Sequence, residues 1–155
     1  MKRRLLFLSL ALGFLLTAGT AGAAGLETMT YPDLQKLVAE SKGKVVVINF
    51  FASWCPPCRE EVPGLINIRK SYGEDKLVLI GASVDEDEQA LKKYMGEAEF
   101  NYPIMRSGAD LTRAAGVRGI PHMLIFDAKG ELAANEAGFV REDTLRRFLE
   151  KNMER

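Results

Sequence analysis

Val45-Val46-Val47-Ile48-Asn49-Phe50-Phe51-Ala52-Ser53-Trp54-Cys55-Pro56-Pro57-Cys58-Arg59-Glu60-Glu61-Val62-Pro63 is the stretch that decides the fold. Its first half is an apolar run, interrupted only by Asn49 and bounded by Lys44 and Ser53, the pattern of a strand buried on both faces. A small-residue turn follows and delivers both cysteines of the chain, with two prolines between them. Prolines suit a first helical turn, because the N–H groups they lack would find no intrahelical partner there. The stretch therefore predicts a strand, a turn and a helix that carries Cys55 and Cys58 at its N-terminus.

A thiol in that seat lies at the positive end of the helix macrodipole, beside unpaired backbone N–H groups. Both favour thiolate, so the pKa of Cys55 is expected below the free value of about 8.5. Cys55 comes first and is expected to be the more exposed; Cys58 follows one turn in on the same face. One sulfur attacks and the other resolves, which is what passing a disulfide through a mixed intermediate requires. Structural zinc wants four ligands, mostly Cys and His. Besides the two sulfurs only His122 is available, so no metal is expected. Cysteines this close also restrict the unfolded chain too little to serve as a structural staple.

The form Trp-Cys-Pro-Pro-Cys-Arg-x-Glu-x-Pro, Trp54 through Pro63, resembles the thioredoxin superfamily, and within it the TlpA/ResA-type branch of exported thiol–disulfide oxidoreductases. Weaker similarity in spacing runs from about Lys44 to the C-terminus. The resemblance implies a thioredoxin-like α/β fold: a central mixed sheet flanked by helices, with a strand and a helix inserted before a cis-proline segment. Gly119-Ile120-Pro121 matches that segment, which implies a cis Pro121 against the sulfurs and an Ile120 backbone turned out toward an extended substrate. The bland alternative for Pro121 is a strand-edge proline.

The resemblance also assigns roles nearby. Glu61, three residues after Cys58, matches a glutamate of the branch and shares a helix face with Cys58. A partly buried carboxyl there would have a raised pKa and could take the Cys58 proton near neutral pH; the alternative is a solvated glutamate beside Glu60. Asn49 stands six residues before Cys55, where thioredoxins proper carry a buried Asp. Glu86 matches a further acidic position, with a plain helix-start charge as its alternative. His122 departs from the Thr more usual after the proline. It stands either within reach of Cys55, where an imidazolium would stabilise the thiolate and raise the potential, or at a strand edge facing solvent. Trp54 is expected to shield one side of the disulfide and, with Pro56, Pro57, Ile120 and His122, to meet the substrate.

Elsewhere the pattern is that of one ordinary domain. Thr30 with Asp33 suggests a helix N-cap, Lys76–Ser83 a second buried strand, and the pair of strands around one helix a right-handed parallel crossover. Asp85–Glu88 opens a helix carrying Leu91, Tyr94 and Met95, Ile104-Met105 is extended, and Gly108–Ala115 is a short helix capped near Ser107. The strand Met123–Phe126 then turns through Asp127–Gly130 into an antiparallel partner near Glu131–Ala137. Glu142–Met153 is a final amphipathic helix, and Pro63 is expected to kink the helix that follows Cys55.

Lys2, Arg3 and Arg4, the apolar Leu5–Leu16 and the small-x-small Ala21-Gly22-Ala23 read as an export signal over residues 1–23, with an uncleaved anchor as the alternative. Residues 26–155 are then the thioredoxin-like domain, expected in the periplasm or another extracytoplasmic compartment. The chain holds 21 Lys and Arg against 21 Asp and Glu, and three of the basic residues lie in the signal. The mildly acidic remainder argues against nucleic acid or a membrane surface as partner. The leading expectation is a monomeric dithiol reductant of protein disulfides with no cofactor beyond its own Cys55–Cys58 disulfide. The resemblance implies apocytochrome c among the substrates and a membrane thiol protein as electron donor. A dithiol oxidase or isomerase, or a chaperone-like binder with incidental cysteines, are the alternatives.

Overall fold

The computed structural model describes residues 25–153. The expected signal peptide lies outside them. At the centre is β2 (Val45–Phe51), all seven of whose residues are buried. After it comes α2 (Pro56–Ser71), which returns the chain to β3 (Leu77–Ser83), parallel to β2 with Val45 opposite Leu77. This is the crossover that two strands buried on both faces demand, since such strands, polar only at Asn49 and Ser83, need a helix on each side.

On the other flank, β5 (His122–Phe126) runs antiparallel to β2, with Phe50 opposite His122 and Asn49 opposite Met123. It turns into the antiparallel edge strand β6 (Leu132–Ala137). Beyond β3 lie β4 (Ile104–Ser107) and the short β1 (Thr28–Met29), both parallel, giving the order β1-β4-β3-β2-β5-β6. β4 and the short α4 (Ala109–Ala114) are the strand and helix expected ahead of the proline segment. Two helices complete the set besides α1 (Tyr31–Glu40): α3 (Glu88–Ala98) and α5 (Glu142–Met153). No helix among the described residues is long and apolar enough to cross a membrane.

Alternation along β2 divides the core in two. Val45, Val47 and Phe51 face α2, α3 and α5, packing with Leu65, Leu91, Leu145 and Leu149. Val46, Ile48 and Phe50 face the opposite way, onto Leu34 of α1 and Leu111 of α4. Thr30 and Asp33 form the expected capping box on α1. One local expectation changes: the N-cap of α4 is Gly108 rather than Ser107, and no side chain caps it. Pro63 lies inside α2, which continues through it to Ser71.

Candidate active site

The site forms where β2 ends. Cys55 is the N-cap of α2, with extended backbone (φ −91°, ψ 109°), and Pro56 and Pro57 occupy the first turn. Its Sγ accepts a hydrogen bond from the Cys58 N–H at 3.3 Å, so the sulfur already sits on one of the helix's unpaired donors. Cys55 and Cys58 are joined in a disulfide, with Cα atoms 5.3 Å apart. In this state Cys55 is hardly more exposed than Cys58, at 3% against 1%, so the expected difference is slight. Trp54 beside them is 66% exposed.

The Ile120–Pro121 peptide bond is cis. The Phe50–His122 register puts this segment at the same end of the sheet from which β2 enters the cysteine turn. The Pro121 carbonyl accepts from Gly138 N–H at 2.8 Å, which ties the segment to the loop leaving β6.

Glu61 is 3% exposed, one helical turn beyond Cys58 on α2. One oxygen, Oε2, accepts from Asn49 Nδ2 at 2.6 Å, and Oε1 accepts from the Val140 N–H at 2.8 Å. Burial pushes its pKa above the ordinary carboxylate value and outweighs the two donors, which pull it down. Glu61 is therefore a buried carboxyl disposed to hold a proton, and the reading of it as solvated beside Glu60 does not apply.

Two expected positions move. His122 is 5% exposed, so it does not face solvent. Nor does it share the cysteine face: it packs edge-on to Phe50, at 6.0 Å between centroids, and its Nε2 is 2.6 Å from Asn135 Oδ1. Alternation along β5 puts Met123, not His122, on the side of Asn49 and Cys58. Glu86 is exposed, and the buried carboxylate of that turn is Asp85, 4% exposed, which accepts from both the N–H and the hydroxyl of Ser53. The sequence signal for Asp85 was available: Ser83 and Asp85 continue the period of two past the end of a buried strand, whereas Glu86 falls on the other phase. Among the described residues no three His, Cys, Asp or Glu side chains gather as a metal site.

A mixed sheet of this order, with a cysteine pair opening the helix after its central strand, defines a thioredoxin-like protein with a redox-capable dithiol. The chain belongs to the Redoxin family, whose model matches residues 18–150. It is similar to the thiol-disulfide oxidoreductase ResA of Bacillus thuringiensis subsp. konkukian, 27% identical over 111 residues, 71% of this chain and 64% of that one. It is 30% identical over 112 residues to the thiol:disulfide interchange protein HelX of Rhodobacter capsulatus, covering 70% of this chain and 60% of HelX. The chain thus spans less than two thirds of the length of these curated relatives. Among solved structures, a thiol:disulfide interchange protein of the thioredoxin family from Chlorobium tepidum TLS matches with a TM-score of 0.68 and 31% identity, over 74% of this chain and 83% of that one.

Proposed function

We propose that the chain is an exported thiol–disulfide oxidoreductase that reduces protein disulfides through Cys55 and Cys58. The observation that carries this reading is the cysteine at the N-cap of α2, its sulfur on a helix N–H, with a buried carboxyl one turn behind its partner. The names of the relatives, thiol-disulfide oxidoreductase and thiol:disulfide interchange protein, support it.

In the reduced protein the Cys55 thiolate attacks one sulfur of a substrate disulfide. A bond forms between Cys55 and that sulfur, and the other substrate sulfur leaves as thiolate. Glu61 takes the proton of Cys58, whose thiolate then attacks Cys55 Sγ, breaks the mixed disulfide and expels the substrate sulfur that Cys55 had bound. Two electrons pass to the substrate, which departs as a dithiol, and the Cys55–Cys58 disulfide remains. A membrane thiol protein restores the dithiol. The Cys-x-x-Cys-His disulfide of apocytochrome c is the proposed substrate class, and Trp54, Pro56, Pro57 and Ile120 are the surface offered to it. Export rests on the Lys2–Ala23 signal pattern.

The test is capture in intact cells. Cys58→Ser is expected to accumulate mixed disulfides with exported proteins that carry cysteine pairs, released by dithiothreitol, while Cys55→Ser accumulates none. A potential near the thioredoxin value of about −270 mV fits a reductant; one near about −120 mV turns the reading into an oxidase. No captured partner, with Cys55 alkylating like free cysteine, refutes the reading.

A further inference from the structure

Ser53, two residues before the attacking sulfur, is held at three polar atoms by two charged side chains. Its N–H donates to Asp85 Oδ2 at 2.9 Å and its hydroxyl to Asp85 Oδ1 at 2.5 Å. Its carbonyl accepts from Arg59 Nη1 at 3.2 Å on the other side. Both grips are themselves braced. Asp85 Oδ2 also accepts from the Ser83 hydroxyl at 2.7 Å, and the Asp85 N–H donates back to that hydroxyl at 2.9 Å. Arg59 lies over the Tyr94 ring at 4.3 Å and reaches Glu97 at 3.3 Å.

A buried carboxylate is costly unless its oxygens are satisfied, and here the donors are spent on one turn. That turn already closes through Cys55 N–H to Ala52 O at 3.2 Å, so closure alone does not need Asp85. What the grip adds is a fixed direction for the chain entering Cys55. The attacking sulfur keeps its contact with the Cys58 N–H only while Cys55 stays at the N-cap with extended backbone.

We propose that Asp85 is a positioning residue for Cys55: working against Arg59, it clamps Ser53 so that the turn presents the sulfur to the mouth of α2. This rests on the reading of Cys55 as the nucleophile. Clamp and charge predict opposite signs. A nearby carboxylate acting by its charge would disfavour the thiolate, so its loss would ease Cys55 ionisation; loss of a clamp makes ionisation harder.

The experiment is the pH dependence of Cys55 alkylation by iodoacetamide in the full chain. A Cys58→Ser background lets one sulfur report, and disulfide turnover is measured in the dithiol forms. Asp85→Ala is expected to move the alkylation midpoint upward, toward the free value of about 8.5. Turnover is expected to fall by about tenfold to a hundredfold, the scale of a misplaced reacting group. Asp85→Asn keeps an acceptor for the Ser53 N–H and is expected to restore most of that loss without the charge. Should Asp85→Ala not fold, as judged by circular dichroism, Ser53→Ala decides: it keeps every charge, removes one bond of the clamp and is expected to move the midpoint the same way. A downward shift in both Asp85 variants, or an unmoved midpoint in folded Asp85→Ala or Ser53→Ala, overturns the clamp while leaving the enzyme reading intact. A wild-type midpoint already at the free-cysteine value overturns both.

Discussion

Asn49 on the central strand donates its amide to the Glu61 carboxyl on α2 across 2.6 Å, with both side chains buried. The second Glu61 oxygen accepts from the Val140 N–H. A neutral amide thus faces the carboxyl where a second carboxylate would have competed with it for a proton. Strand, helix and the loop ahead of α5 therefore meet on one ionisable group.

The first prediction concerns stability. The folded-state pKa of Glu61 is raised above 4.5 by burial, so folding prefers the protonated form. Its contribution is fully present below the ordinary carboxylate pKa and is lost as pH rises through the raised value. Glu61→Gln removes that loss. The variant's advantage in unfolding free energy over wild type, from urea midpoints of the oxidised protein, is expected to grow above about pH 4.5 and then level off. An advantage that shrinks with rising pH would mean that the two donors outweigh burial.

The same variant tests proton transfer. Without the carboxylate, Cys58 must give its proton to water, and resolution of a preformed mixed disulfide is expected to slow by about a hundredfold near neutral pH. The deficit should shrink toward about pH 8.5, where a thiol ionises unaided. Stopped-flow release of the substrate thiol measures it, and equal rates at neutral pH would remove Glu61 from the mechanism.

Much of this was legible in the sequence because its signals are local. The apolar run Val45–Phe51, the two prolines after Cys55 and the Thr30–Asp33 capping box each fix an element through nearby residues. The resemblance points to Glu61, and helical spacing only sets it on the face of Cys58; its Asn49 and Val140 donors come from residues 12 and 79 positions away. His122 fits neither of its two readings: it is buried rather than solvent-facing, and although it follows Pro121 in sequence, the alternation of a strand sends neighbouring side chains to opposite faces. Asp85 is harder to single out than its exposed neighbour Glu86, because its partner, Ser53, lies 32 residues back.

His122 accordingly gives a third prediction. With its ring against Phe50 and Asn135, His122→Ala opens a hole and unpairs a polar contact, at a cost of about 2–4 kcal/mol. The alkylation midpoint of Cys55 is expected to stay where it is. An upward shift in the folded variant would show that the imidazole reaches the thiolate after all.

The last prediction joins packing to the site. Gly81 on β3 pairs with Asn49 on one side and Ile104 on the other. A Cβ there would lie 2.5 Å from Ile104 Cδ1, 3.1 Å from Phe51 Cε1 and 3.4 Å from Tyr102 Cε2. The tip of Ile104 can rotate away. Phe51 is less free, because its ring is packed against Phe100 and Tyr94, with centroids at 5.6 and 6.3 Å. Overpacking of this kind costs about 1–3 kcal/mol, against a gain of about 0.4–1 kcal/mol from the stiffer unfolded chain. The crowding term is the larger, so Gly81→Ala is expected to lower Tm by several degrees in calorimetry of the oxidised protein. Phe51 also leads into the Ala52–Trp54 turn, and its carbonyl accepts from Val84 N–H at 2.9 Å. Its displacement is therefore expected to slow Cys55 alkylation as well. A Tm at or above wild type would mean that the aromatic cluster around Phe51 holds room for a methyl group.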